Sequence, residues 1–470
     1  MEFTVAQSSV QAGDPHICSD SNARNNIVYS VYEALVTRNK AGGFSPCLAR
    51  SWGVEQDGLT WLFQLREGVR FHSGDQLKAS DVVASLRRVV DPSIGGAYGT
   101  QGVYAGYIGD AEFEAVTRDV VRIRTGEPMA DLLDLLSEMP IGPEDELDRL
   151  PREYVGTGPY LVGSAGRDEL VLEAFRGYWG GSPKVEALTW LAEPDPIMRA
   201  QMVLDREADI ACMVGAEGKR LAGAEGAPVA ELDSGLCIIF MLNCFKGPCV
   251  DGRVRQALNY ALDVPGIISR VKRGEATQLS GYLTAHHYGY DPETPPYGFE
   301  PDRAWRLLTE AGYGDGLRLV MDVPTSMPDE ALQLAAAMER MYGAVGVEVE
   351  VKCHGDRPAY AEMVRDKRIG DMCCFDSSPR STFRVLREKL HSAFKGPWWE
   401  GYSSPEVDRM AGEAQRTFDD GARQRIYRRI FRAVRDDAPW VFLYRPTYHW
   451  ALGRSAEGWR PGPDGLVLIR

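Results

Sequence analysis

At 470 residues the chain is too long for one hydrophobic core and should divide into two or three domains. Its formal net charge of −14 argues against the basic face of a nucleic-acid binder. Hydrophobic residues at 44% and charged residues at 26% are those of an ordinary soluble globular protein.

In chain order, "EFTVAQ" (2–7) alternates and predicts a first strand. "NNIVYSVYEALV" (25–36) has apolar residues at helical spacing, with Asn25 or Asn26 as its cap. Asp57-Gly58 predicts a hairpin turn, "LTWLFQL" (59–65) a strand, and Ser80 the cap of a helix over "DVVASLRRVVD" (81–91). A strand follows at "DVVRIRT" (119–125) and a helix at "MADLLDLLSEM" (129–139). "GTGPY" (156–160) is a Gly/Pro breaker and a domain boundary. Strands at 169–175 and 186–193, a helix at 195–209 and a strand at 210–214 make a β-β-α-β run, as in mixed α/β architecture. "LCIIFMLNCF" (236–245) is half a membrane span and reads as a buried strand. Residues 251–274 read as a helix broken by Pro265, and 301–312 as a helix stopped by Gly312. Strands are expected at 317–323 and 347–354 around a helix at 328–346, and two helices plus a closing strand over 401–446.

Nine cysteines and no CxxC pair suit a reducing compartment and signal neither a zinc ribbon nor a thioredoxin-like motif. "MEFTVAQSSVQAGDP" shows no basic segment followed by an apolar one, so the expected location is the cytoplasm, or the periplasm or exterior if a leader was removed. No membrane insertion is expected. Phosphate-loop, dinucleotide, zincin and serine-hydrolase signatures are missing, so no cofactor and no metal is expected. His286 and His287 read as loop residues, and Cys237, Cys244 and Cys249 as buried apolar thiols. Aromatic loops such as "GYWGG", "HHYGYDPETPPYGF" and "GPWWEGYSS" suit a cleft that wraps a small polar or amphipathic ligand.

With these segments in order, the chain resembles the family 5 extracellular solute-binding proteins of ABC transporters, the oligopeptide, dipeptide and nickel-binding group. The resemblance is carried by "VYEALV" (31–36), by 46–92 almost throughout, and by "GTGPYLV" (156–162). "RGYWGGSPKVEALTW" (176–190), "RVRQALNYALD" (253–263), "AWRLLTEAGYGDGLRLV" (304–320), "GYSSPEVDRMAGEAQRTFD" (401–419) and "IYRRIFRAVRDDAPWVFLYRP" (426–446) continue it. It implies an α/β, two-lobed periplasmic-binding-protein fold, type II and cluster C-like, with a small domain inserted in lobe one. Transferred here, lobe one is 1–35, 156–240 and 440–470, the inserted domain is 36–155, and lobe two is 241–439. It further implies a monomer that captures a peptide, opine, or amino-acid or sugar derivative between closing lobes and partners an ABC permease, without chemistry.

The resemblance places ligand-facing residues in three segments. They are Asn25, Asn26 and Tyr29; the strand from Cys237 to Asn243; and "MCCFDSSPR" (372–380). In the last, Asp376 takes an acidic position that pairs with ligand ammonium in peptide binders. Cys373 or Cys374 stands where the family has tryptophan, and Arg380 is placed to pair with Asp376 or to hold a ligand carboxylate. A rival reading makes one of these thiols the nucleophile or acid-base group of a cytosolic enzyme on the same scaffold. A third makes the chain a cytosolic ligand sensor.

Overall fold

A computed structural model describes residues 2–39, 42–96, 100–150 and 152–469. The chain forms two compact units, Met1–Leu232 with Tyr448–Arg470, and Asp233–Thr447.

Unit one is built on Glu2–Gln7, which lies parallel to Ala187–Ala192 on one side and to the short Ile210–Ala211 on the other. Antiparallel strands Glu169–Ala174 and Tyr160–Ala165 extend the first edge, and the end of Trp440–Leu452 pairs with Ile210–Ala211. Helix Asn22–Val31 supplies Ile27 and Val31 to a core that also holds Val5, Leu188, Trp190 and Trp450. A second, antiparallel sheet runs Ala49–Val54, Thr60–Leu65, Val120–Arg124, Glu112–Ala115, with helix Ala79–Val89 against its far strands. The turn at Asp57 forms because its carboxylate accepts from the backbone N–H of Leu59 and Thr60 and from Arg124.

One residue joins the motif segments of this unit. Glu33, buried inside "VYEALV", accepts hydrogen bonds from Trp179 Nε1 at 2.7 Å, Tyr178 OH at 2.8 Å and Thr157 Oγ1 at 3.1 Å. The Cys47 thiol points at it from 3.7 Å. "PCLAR", "GTGPY" and "RGYWGG" therefore converge on one carboxylate. Arg66 lies over the Trp179 ring at 4.5 Å and donates to Cys47 O.

Unit two carries a sheet ordered Val347–His354, Leu317–Pro324, Met372–Ser377, Cys237–Leu242 and the start of Trp440–Leu452. The first three strands run parallel and the rest pair antiparallel. Cys237–Leu242 is flanked on both sides, so every residue in it is buried and the apolar run does not alternate. Asn259 locks a helix to this sheet, donating to Trp440 O and accepting from Phe442 N–H, both at 3.0 Å.

Several local expectations change. The cap of the first helix is Ser21 rather than Asn25 or Asn26, which lie inside the helix with their amides bonded internally. Helix Ala79–Val89 begins before Ser80, because Asp81 Oδ2 accepts from the Lys78 N–H at 2.8 Å and closes the turn in its place. The helix expected over 129–139 shrinks to Leu132–Leu136. Residues 251–274 make two helices, Gly252–Tyr260 and Val264–Val271, and Pro265 sits in the first turn of the second, where its missing N–H costs nothing.

Candidate functional site

Strand Met372–Ser377 brings most of the sequence-selected residues of unit two together. Its antiparallel register with Cys237–Leu242 pairs Ser377 with Cys237, Asp376 with Ile238 and Cys374 with Phe240. Successive side chains on a strand face opposite ways, so Cys374 and Asp376 share one face and Cys373 and Phe375 the other. Asn243 lies beyond the opposite end of Cys237–Leu242, roughly 20 Å from Cys237 at the usual rise per strand residue. Its Nδ2 donates to Gly370 O at 2.8 Å and its Oδ1 accepts from Phe245 N–H at 3.1 Å, so it fastens the far end of the sheet.

Cys237, Cys373 and Cys374 are fully buried. Burial pushes the Cys237 thiol up to about 12 and holds Cys373 and Cys374 above the ordinary thiol range, with the Glu400 and Asp322 carboxylates near Cys373 and Asp376 near Cys374 acting in the same direction. A nucleophilic cysteine needs a stabilised thiolate, and these surroundings disfavour it. The enzymatic rival reading loses its chemistry here. Among the described residues no group of three or more His, Cys, Asp and Glu is placed to hold a metal ion.

Asp376 forms an ion pair with Arg357, whose Nη2 lies 3.7 Å from Oδ1. The guanidinium also sits over the rings of Phe375 at 5.3 Å and Tyr360 at 5.6 Å. Arg380 stands four residues on, just before Ser381, whose Oγ caps the short helix Thr382–Val385. Behind the loop, buried Arg384 pairs through Nε with Glu388 Oε1 at 3.0 Å, and buried Lys389 lies 4.0 Å from the other oxygen of that carboxylate. Lys389 Nζ is 5.6 Å from the Phe375 ring and 5.8 Å from that of Trp398. Phe375 is thus bordered by two cations and an indole. Sequence reasoning missed Arg357 and Lys389, although the i,i+4 spacing of Arg384 and Glu388 in "RVLREKL" is a readable pair signal.

In unit one, Asn25 Nδ2 donates to Ser19 O at 3.1 Å and its Oδ1 accepts from Arg24 Nη1 at 3.0 Å. Asn26 Nδ2 donates to Gln7 Oε1 at 2.9 Å, and its Oδ1 accepts from Val467 N–H at 2.8 Å. Both amides therefore secure the helix to its surroundings. Tyr29 is partly buried against the unit-one core.

No helix among the described residues is long and apolar enough to cross a membrane. Residues 43–381 match the model of the bacterial extracellular solute-binding proteins, family 5. The chain is 27% identical over 474 aligned residues to the glutathione-binding protein GsiB of Escherichia coli, covering 96% of this chain and 90% of that one. HbpA2 from Haemophilus parasuis shares its fold with a TM-score of 0.85 at 20% identity, over 99% of this chain and 98% of that one. DppA from Helicobacter pylori, an ABC transporter-associated periplasmic binding protein solved with the peptide STSA, gives 0.82 at 21% identity over 100% and 96%. The relative and DppA are named as binding proteins, not enzymes, and the family's extracellular description supports the exported alternative over the cytoplasmic one. Motif order, the α/β units and the match over most of the length agree: the chain belongs to the bacterial extracellular solute-binding proteins of family 5.

Proposed function

We propose that this chain, as a monomer outside the cytoplasmic membrane, captures a small peptide-like solute with a free ammonium group and passes it unchanged to an ABC permease. The observation that supports this most is its similarity over nearly the whole length to a glutathione-binding protein. Glutathione is a tripeptide carrying one ammonium and two carboxylates.

Asp376 is the proposed ammonium partner. It is the one acid on strand Met372–Ser377, it lies near the strand's end, and its side chain keeps 26% of its exposure. Arg380 is proposed to receive a carboxylate, since the guanidinium fork matches a carboxylate geometrically. Cys373, Cys374 and Cys237 are assigned the inert wall and Tyr29 remains a contact candidate of unit one, whereas Asn25, Asn26 and Asn243 act by holding backbone in place.

Calorimetric titration with reduced glutathione and with di- to tetrapeptides, each with and without an acetylated N-terminus, tests the reading. Saturable binding is expected, with the ligand recovered intact. Acetylation and Asp376→Asn should each weaken it about tenfold or more, the scale of a charge-assisted hydrogen bond. Absence of binding to any free peptide, or turnover of the bound compound, overturns the proposal.

A further inference from the structure

The two adjacent histidines of unit two stand in one turn and do different things. His286 is exposed, and its Nε2 meets Asp233 O at 2.6 Å. His287 is buried and bonded through both ring nitrogens. Its Nδ1 faces the Thr284 backbone N–H at 3.2 Å and Thr284 Oγ1 at 3.0 Å. An amide N–H can only donate, so Nδ1 accepts, and the neutral ring carries its proton on Nε2. That Nε2–H donates to Pro379 O at 2.8 Å, bringing together residues 92 apart in sequence.

The oxygen it holds matters for the neighbouring arginine. Pro379 O lies in the planar peptide unit that leads into Arg380, so fixing that oxygen fixes the direction in which the Arg380 backbone continues. Residues 378–381 connect strand Met372–Ser377 to the short helix Thr382–Val385. On the other side of Arg380, Thr382 Oγ1 donates to Tyr288 O at 2.6 Å. The turn over 284–288 therefore grips this connection at 379 and again at 382, with Arg380 between the two grips. Thr284, His287 and Thr382 are all buried, where water competes least for such bonds.

We infer that His287 is a positioning residue for ligand recognition: its bond to Pro379 O, seconded by Thr382, holds Arg380 where its guanidinium receives the ligand carboxylate. This rests on the proposed function, which gives Arg380 that contact.

The test compares acids with their amides by calorimetry: reduced glutathione with its diamide, and trialanine with trialaninamide. Wild type should prefer the acid by about tenfold or more, and His287→Ala should bring the ratio to within about threefold. His287→Gln can still donate to Pro379 O and should stay within about twofold of wild type. A general loosening of the fold weakens acid and amide alike and leaves their ratio unmoved. Arg380→Met should abolish the preference, and adding His287→Ala to it should change the ratio no further. Amide hydrogen exchange over 378–382, measured without ligand, should be faster in His287→Ala than in wild type or His287→Gln. Should His287→Ala not fold, Thr382→Val opens the other grip and should lower the ratio in the same direction. Peptide binding with an unchanged ratio in folded His287→Ala or Thr382→Val overturns the inference and spares the proposed function. Equal affinity of wild type for acid and amide overturns it too. Wild type that binds neither peptide sinks the proposed function and this inference together.

Discussion

Glu33 in unit one and Glu400 in unit two are equally buried, at 4% exposure each, and their surroundings could hardly differ more. Glu33 receives an indole N–H, a phenol and a hydroxyl within 3.1 Å. Neither oxygen of Glu400 has a hydrogen-bond partner, and its nearest cation, Lys367 Nζ, stands 3.6 Å away while donating at 2.7 Å to Pro397 O. Desolvation therefore dominates at Glu400 and raises its carboxyl to about 7, with Lys367 opposing the rise. Burial alone does not determine what a carboxylate does; the donors aimed at it do. The first residue is a joint between segments, and the second is a proton-binding site inside the fold.

The largest expected effect breaks the joint. Glu33→Ala strands the Trp179, Tyr178 and Thr157 donors and should cost about 4 kcal/mol in urea unfolding, in the range for dismantling a buried polar network. Glu33→Gln keeps an acceptor and should cost about half as much. If Glu33→Ala unfolds like wild type, the hub is ornamental and the contrast with Glu400 falls.

Glu400 should show itself through pH. Its carboxyl is raised in the fold from the ordinary 4.5 to about 7, so between these values the native state holds the proton that the unfolded chain has released. Stability contributed by this group is fully present below pH 4.5 and is lost as pH rises through 7, by about 3 kcal/mol in all. Unfolding of wild type and Glu400→Gln at pH 5 and pH 8 measures it, and the variant should lose that slope. Equal slopes in the two proteins would mean the carboxylate is satisfied at neutral pH. The groups facing it from neighbouring elements are Lys367, Cys373 and Cys244, of which only Lys367 carries charge in this range.

Much of the fold was legible because it is local. "VEVEVKCH" alternates and forms Val347–His354, and "LCIIFMLNCF" is unbroken because Cys237–Leu242 has a neighbour on each side. The sequence marked the two cysteines at 373 and 374 only as a departure from the family's tryptophan position; the strand Met372–Ser377 shows that their side chains turn to opposite faces. The Glu33 joint was not legible, since its donors lie 124 to 146 residues away and glutamate carries no mark of what it will accept. Arg357 was missed for the same reason: it meets Asp376 across separate elements, while Arg380 drew attention by standing nearby in sequence. The helix caps misled because Ser80 and Asn25 are chemically able to cap, and only the backbone shows that Asp81 and Ser21 do it.

An intermediate case sharpens the comparison. Asp322, buried on strand Leu317–Pro324, accepts from Gly370 N–H at 2.6 Å through Oδ2 and meets His354 Nε2 at 2.8 Å through Oδ1. It has fewer donors than Glu33 and more than Glu400. His354→Ala removes one of them from a half-exposed imidazole and should cost about 1 kcal/mol, the net worth of one hydrogen bond beside water. His354→Gln, which restores an N–H at similar reach, should recover most of that loss. If Ala and Gln behave alike, the imidazole acts by packing on Tyr360, whose ring centroid is 5.2 Å away, rather than by donating to Asp322. The ordering Glu33, Asp322, Glu400 would then need a cause other than donor number.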